Sequence, residues 1–377
     1  MRRFLIVLVS LAFPLAAFGG NGQILKSSRP IPDQYIVVLE DFLDDIPGAA
    51  NALARMHGGQ LGYLYDSAVH GFSIRINAHA ANGLAHDPWV KYVEEDGEMS
   101  IDTTQSGATW GLDRIDQRNL PLSGTYTFTG NGSGVRVYVI DTGIRTTHTQ
   151  FGGRASAVFD ALGGNGQDCN GHGTHVAGTI GGSTYGVAKN ALLRAVRVLD
   201  CNGSGATSGV IAGVNWVATN HISPSVANMS LGGGASSTLD SAVASAIASG
   251  VTFAIAAGNS NLDACTQSPA RVGTAITVGS TTSSDARSSF SNFGTCVDIF
   301  APGSSITSSW ATSDTATNTI SGTSMATPHV AGVAAVYISR FGGSPSTVRD
   351  ALVNNATTGV ITNVGAGSPN RLLFTNY

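Results

Sequence analysis

Charge is scarce in this chain. Only 12% of its 377 residues are Asp, Glu, Lys or Arg, about half the usual share. Glutamate is absent after Glu98, and Lys189 is the only lysine after Lys91. No block of basic residues stands out, so the electrostatic footprint of a nucleic-acid binder is missing. Long apolar runs are missing beyond the first residues, and mean hydropathy is only +0.12, which argues against a membrane protein. Proline is held to 12 residues and the 48 glycines follow no Gly-X-Y period, so a collagen-like chain is excluded. What is present is a 42% apolar fraction rich in Val, Ile and Ala, with glycine at nearly twice the average share. That mixture predicts a soluble globular protein with many tight turns and a small-residue core.

The charge divides unevenly. Residues 1–102 carry a net −5 and residues 103–377 a net +1. All four glutamates (Glu40, Glu94, Glu95, Glu98) lie in the first part, and all four cysteines in the second. Such a break suggests separate modules. Arg2 and Arg3, the apolar run Phe4 to Phe13, Pro14 and the small residues Ala16, Ala17, Gly19 and Gly20 read as a secretory signal over 1–20. Its apolar stretch is short for a span, so no membrane anchor is expected in the mature form. An oxidising destination follows, in which the cysteines can pair in any of three ways.

Residues 21–102 read as a small α+β unit. Tyr35 to Leu39, Gly71 to Ile76 and Val90 to Glu94 have strand character, and Ala49 to Met56 can be helical. Nothing in it looks catalytic. Residues 103–377 alternate instead. Strands are expected at 135–140, 192–198, 225–229 and 251–256, and helices at 172–180, 207–220, 238–249 and 324–339. This βαβα order with near-continuous Val/Ile/Ala strands predicts an α/β domain whose mostly parallel sheet is covered on both faces. Ligands in such sheets bind at the carboxyl ends of the strands.

Three segments place one reactive side chain each at the end of an element. Asp141 ends a strand and precedes Thr142-Gly143; alone it would be an Asx turn. His172 starts a helix between Gly171 and Gly173, with His175 three residues on. The pair does not read as a zinc site, which wants i,i+4 spacing and a carboxylate between. His175 is expected to pack or to hydrogen-bond in the helix. Ser324 opens the long apolar helix behind Gly322, where free N–H groups favour developing negative charge. His329 follows Pro328 inside that helix and is expected to pack. In the order Asp, His, Ser these supply an orienting carboxylate, a base and a nucleophile.

The strings Val139-Ile140-Asp141-Thr142-Gly143, His172 to Gly178 and Gly322 to His329 resemble the three signatures of the subtilase family of serine endopeptidases. The likeness leans to its proteinase K branch and to aqualysin-type extracellular bacterial enzymes. Trp110-Gly111-Leu112-Asp113-Arg114-Ile115-Asp116-Gln117 and Asn228-Met229-Ser230-Leu231-Gly232-Gly233-Gly234 support that. It covers essentially all of 103–377, and more loosely the segment before it.

The resemblance implies a subtilisin-like three-layer α/β fold, preceded by a ferredoxin-like propeptide domain. It implies Ser324 as nucleophile, His172 as general base and then acid, Asp141 as its orienter, and Asn259 with the Ser324 amide as oxyanion hole. Substrate backbone would pair with Gly203-Ser204-Gly205 and Ser230-Leu231-Gly232. The S1 pocket would be walled by Ser230 to Gly233 and by Ala256, Ala257 and Gly258. None of these residues is charged, so broad cleavage after aromatic or apolar residues is expected. The favoured disulfides are Cys169–Cys201 and Cys265–Cys296. Calcium is the expected structural cofactor, at Asp298 with the backbone of Gly273 and Ala275, and at Asp113, Asp116 and Gln117. Ser123 stands where some relatives add a further Asp. Residues 21–102 would be a propeptide, acting as chaperone and inhibitor and removed autolytically near Asp102–Thr103. The product would be a secreted, monomeric peptidase domain, 103–377, acting on proteins and peptides.

Overall fold

A computed structural model describes residues 22–27, 30–97 and 103–377. The signal segment 1–20 lies outside the described residues, as does Asp102 at the expected maturation boundary. Chain contacts divide the protein into two compact units, Met1–Ser100 and Ile101–Tyr377. Among the described residues, no helix is long and apolar enough to cross a membrane.

In the first unit, β1 (Ile24–Leu25), β2 (Pro30–Leu39), β3 (Gln60–Asp66), β4 (His70–Arg75) and β5 (Val90–Gly97) form a sheet ordered β1-β5-β2-β4-β3. Only the β1–β5 pair is parallel. Helix α1 (Ile46–His57) is capped by Asp45, whose carboxylate accepts from Gly48 N at 2.9 Å, and it stops at Gly58 in the left-handed region. It buries Ile46, Ala49, Ala50, Leu53 and Ala54, one stripe of a 3.6-residue period. That stripe meets Tyr35, Val37 and Leu39, alternate residues of β2, in a core shared with α2 (Ala78–Ala85). The sequence reading missed β3, whose apolar residues do not alternate across its register shift, and α2, whose apolar face is mostly alanine.

The second unit opens with β6 (Thr103–Ser106), α3 (Trp110–Ile115) and β7 (Thr125–Phe128). The alternation follows: β8 (Arg136–Asp141), β9 (Ala155–Asp160), α4 (His172–Gly181), β10 (Leu192–Arg197), α5 (Thr207–Asn220), β11 (Ser225–Met229), β12 (Gly233–Gly234), α6 (Ser237–Ala248) and β13 (Thr252–Ala256). Then come β14 (Gln267–Ser268), β15 (Ile276–Thr281), β16 (Ile299–Pro302), β17 (Ile306–Ser309), β18 (Thr317–Ile320), α7 (Thr323–Phe341), α8 (Pro345–Asn355), β19 (Thr357–Thr358) and β20 (Arg371–Leu372).

The main sheet is ordered β19-β20-β16-β15-β13-β11-β8-β10-β9. It is parallel throughout except for β19 against β20. Its faces are set by the two-residue period of a strand. Val135, Val137 and Val139 pack with Val176, Ile180, Val330 and Val333 of α4 and α7. Tyr138 and Ile140 pack on the other face with Val210, Val214, Val217, Leu239 and Val243 of α5 and α6. The chain leaves β8 for β9 and β10 on one side, then crosses to β11 on the other. The carboxyl ends around β8 therefore flank a topological switch point. Arg114 of α3 is buried and ties this frame to the loop after β15, donating from Nε and Nη2 to the Asp285 carboxylate at 2.7 and 2.9 Å.

Candidate active site

Asp141 is the last residue of β8 and is fully buried. Its Oδ1 accepts from Thr142 N at 2.7 Å and lies 2.8 Å from His172 Nδ1. That contact makes Nδ1 the protonated nitrogen and leaves Nε2 as the lone-pair face. His172 is the first residue of α4, whose N-cap is Gly171 with φ 112°. Bulk is excluded at both glycines that flank it in the chain. A Cβ on Gly171 would lie 2.4 Å from the Trp310 indole, and one on Gly173 would lie 2.2 Å from Gly143 O.

Asp168, four residues before His172, does the capping. Its Oδ1 accepts from Thr142 Oγ1, Asn170 N and Gly171 N, each at 2.9 Å. Its Oδ2 accepts from Thr174 N at 2.9 Å and Thr174 Oγ1 at 2.6 Å. One carboxylate thus joins the residue after Asp141 to the turn that carries His172. Burial pulls the His172 pKa down. The charge and hydrogen bond of Asp141, with the charge of Asp168, outweigh it and leave the group above its ordinary value. The sequence reading passed over Asp168, although a carboxylate just ahead of a helix is a capping signal.

Ser324 is the second residue of α7, where backbone N–H groups lack an intrahelical acceptor. Pro328 lies four residues on and has no N–H to give Ser324 O. The Ser230 hydroxyl supplies the missing donor at 2.8 Å, and Ser324 Oγ donates in return to Ser230 O at 3.0 Å. Asn228 Nδ2 donates to Ser230 Oγ at 2.9 Å. The nucleophile candidate is therefore held against the strand end that also walls the cleft.

Asn259 follows β13 and Gly258, whose φ is +103°. Its Oδ1 accepts from both Thr323 N and Thr323 Oγ1 at 2.8 Å. Two donors on the oxygen fix the amide, so Nδ2 is the atom left to donate. Thr323 is a further residue that sequence reasoning missed.

Two cavities meet here. One of about 490 Å³ is lined by Thr142, His172, Asn202 to Gly205 and Ser230 to Gly234, among others. The other, of about 310 Å³, is lined by Leu231 to Gly234, Ala256, Gly258, Asn259, Gln267, Thr323 and Ser324. All the expected substrate-contact residues line one or the other except Ala257, which is fully buried behind the wall. The loop at Gly203 is tight. Asp200 Oδ1 accepts from Asn202 N at 2.9 Å and Ser204 N at 3.0 Å. Cys169–Cys201 ties this loop to the turn before α4, and Cys265–Cys296 closes a second loop.

His175 and His329 stand apart from this chemistry. His175 Nε2 donates to Ile306 O at 3.0 Å and His329 Nδ1 to Met325 O at 2.9 Å. Burial holds both near pKa 4.

The cation-site candidates differ. Both Asp298 carboxylate oxygens are engaged, one by Thr277 N at 2.9 Å and the other by the Arg349 guanidinium. Burial raises its pKa against those donors. The Arg349 guanidinium already supplies the local counter-charge, so a cation would gain less there. At the other set, Asp113 accepts from Ser123 N and Ser123 Oγ on one oxygen and from Gly124 N on the other, at 2.6–3.0 Å. The Gln117 amide nitrogen is taken by Asn119 O and Pro121 O. Asp116 Oδ2 accepts from Thr127 N at 2.6 Å, and its Oδ1 is buried without a partner. Burial, with the Asp113 charge adding, pushes Asp116 up to about 6. That open oxygen suits a hard cation.

The Subtilase family model matches residues 132–372, and the Peptidase inhibitor I9 model matches residues 34–102. The chain is 53% identical over 376 residues to the extracellular serine proteinase of Thermus sp. strain Rt41A, covering 94% of this chain and 92% of that protein. It is 53% identical over 363 residues to alkaline serine exoprotease A of Vibrio alginolyticus, covering 91% of this chain and 67% of that protein. A crystal structure of a cold adapted subtilisin-like serine proteinase superposes with a TM-score of 0.70 at 59% identity, covering 72% of this chain and 100% of that one.

Proposed function

The chain belongs to the subtilase family, and from that membership we infer how its residues divide the work. It is a secreted serine endopeptidase, processed from a pro-enzyme with an I9-type inhibitory propeptide. Its partners are protein or peptide substrates and its own propeptide.

In our reading Ser324 Oγ attacks the scissile carbonyl while His172 Nε2 takes its proton. The carbonyl π electrons move to oxygen, and the oxyanion accepts from Asn259 Nδ2 and Ser324 N. The imidazolium is stabilised by Asp141 and then protonates the leaving amine, which departs as the C–N bond breaks. Water, deprotonated by His172, attacks the acyl ester. Collapse of the second oxyanion releases the acid and returns the proton to Ser324. The observation that most supports these roles is the short Asp141–His172 contact, beside an Asn259 amide whose oxygen is already engaged. The smaller cavity is S1, uncharged and suited to aromatic and apolar P1 residues. Substrate backbone adds as a strand along Ser230 to Gly232 and Gly203 to Gly205.

Residues 1–20 act as the signal, 21–102 as the propeptide and 103–377 as the peptidase. Calcium is held at Asp116, with Asp113 and Gln117 beside it. When bound it supplies counter-charge for stability and takes no part in bond cleavage. The test of the whole reading compares wild type with Ser324→Ala, by N-terminal sequencing and fluorophosphonate labelling of the secreted product. Wild type should begin near Thr103 and label, and the variant should keep its propeptide and not label. A variant that still labels would refute Ser324 as nucleophile.

A further inference from the structure

Lys189 is the only lysine after Lys91, and the chemistry at Ser324 makes no use of it. Among the described residues it makes no ion pair, and burial, with the like charge of Arg154 adding, pulls it down to about 8. Its Nζ donates instead to three backbone carbonyls of the turn that follows α4. These are Gly186 O at 2.9 Å, Ser183 O at 3.2 Å and Thr184 O at 3.5 Å. The stacked rings of Tyr126 and Phe128 on β7 lie 5.5 and 5.6 Å from the same atom, within cation–π range. Thr184 O also accepts from Gln105 Nε2 at 3.0 Å, so β6 is tied to the same carbonyl. Gln105 Oε1 is buried without a donor. Acceptors therefore outnumber donors around this turn, a surplus that a cation relieves. Neutral oxygens and ring faces, with no carboxylate among them, suit one positive charge better than two. Calcium would also draw six to eight oxygens in to about 2.3–2.6 Å. Contacts of 2.9–3.5 Å fit an ammonium, or a bare ion of its size.

We propose that the turn after α4 is a monovalent-cation site whose resident ion is the chain's own Lys189 ammonium. Lys189 takes the place of a bound ion of potassium size and, being tethered, does not depart. It joins the end of α4 to β6 and β7 whatever the salt outside. A free ion enters only when the ammonium is removed.

The test is Lys189→Met, which keeps an apolar stem and removes the charge, in a Ser324→Ala background free of autolysis. In tetramethylammonium chloride, whose cation is too large for the three carbonyls, Tm should fall by roughly 4–8 °C. Potassium or ammonium chloride at equal ionic strength should restore most of that loss, saturably. The parent Ser324→Ala protein should show no preference among the three salts. Thallium(I), a potassium mimic, should give an anomalous scattering peak at the turn in crystals of the variant and none in the parent. A variant whose Tm ignores the cation would overturn the proposal, since Lys189 would then serve only as packing and a hydrogen-bond donor. So would a parent that itself gains stability from potassium over tetramethylammonium, because its site would then stand open. Should the variant fail to fold, ¹⁵N-lysine spectra of the parent decide. The chain has three lysines, and Lys26 and Lys91 are exposed controls. The Lys189 ammonium should hold its protons markedly longer than theirs at pH 7, and equal exchange would overturn the proposal too.

Discussion

Asp168→Asn exchanges one carboxylate oxygen for an NH₂ group at a place where five donors already point. Three of them converge on Oδ1 and two on Oδ2. The NH₂ goes where it displaces fewer, at Oδ2, against Thr174 N and Thr174 Oγ1. The Thr174 hydroxyl oxygen already accepts from Arg145 N at 2.9 Å. A hydrogen bond to an ionised group is worth about 1.5–3 kcal/mol, and an orphaned donor costs about 1–3 more when buried. Asp168 is half-buried, so the lower ends apply, and the loss is about 2–3 kcal/mol. At about 2–4 °C per kcal/mol for a domain of this size, Tm falls by about 4–12 °C. Unfolding is best followed in a Ser324→Ala background, free of autolysis. The same substitution removes a negative charge that holds His172 up. The acidic limb of kcat/KM, which reports His172 losing its proton, should therefore move to lower pH. A loss below about 0.5 kcal/mol, within the range of an ordinary surface change, would refute this reading of the cap. So would an acidic limb that stays in place.

Asn259→Ala should lower kcat by on the order of 10²–10³ with little change in KM, because the donor acts on charge that develops only in the transition state; steady-state kinetics on one anilide substrate decides it. His175 and His329 bind protons more weakly folded than unfolded, since burial holds both near 4. Their contribution to stability is whole above the ordinary histidine value near 6.5 and is lost as pH falls toward 4, up to about 3 kcal/mol each. His172, with its raised value, has the opposite sign: its contribution is present below 6.5 and fades as pH rises through the raised value. The urea midpoint of the Ser324→Ala protein should therefore drop between pH 7 and pH 4.5, and a flat midpoint would contradict the burial argument. Chelation should lower Tm in wild type, while Asp116→Asn should abolish that calcium dependence and Asp298→Asn should leave it intact. A calcium effect that survives Asp116→Asn would place the ion elsewhere.

The sequence alone determined the alternation of strands and helices and the element ends at which Asp141, His172, Asn259 and Ser324 lie. These are short-range matters. Two-residue and 3.6-residue apolar periods, a glycine where the backbone must turn, and a hydroxyl at a helix start are all written within a few positions. Family likeness then joined the segments into one site. Tertiary structure decided what holds those side chains in place, because the partners are far apart in the chain and near only after folding. Thr323 locks an amide 64 residues earlier, and Ser230 donates to a carbonyl that Pro328, 98 positions later in the sequence, leaves open. Arg349 reaches back 51 residues to the Asp298 carboxylate, which the family resemblance had offered to a metal. No local period carries such pairings. A hydrogen bond needs its atoms within about 3 Å and aligned, and only the packed sheet and helices bring them there.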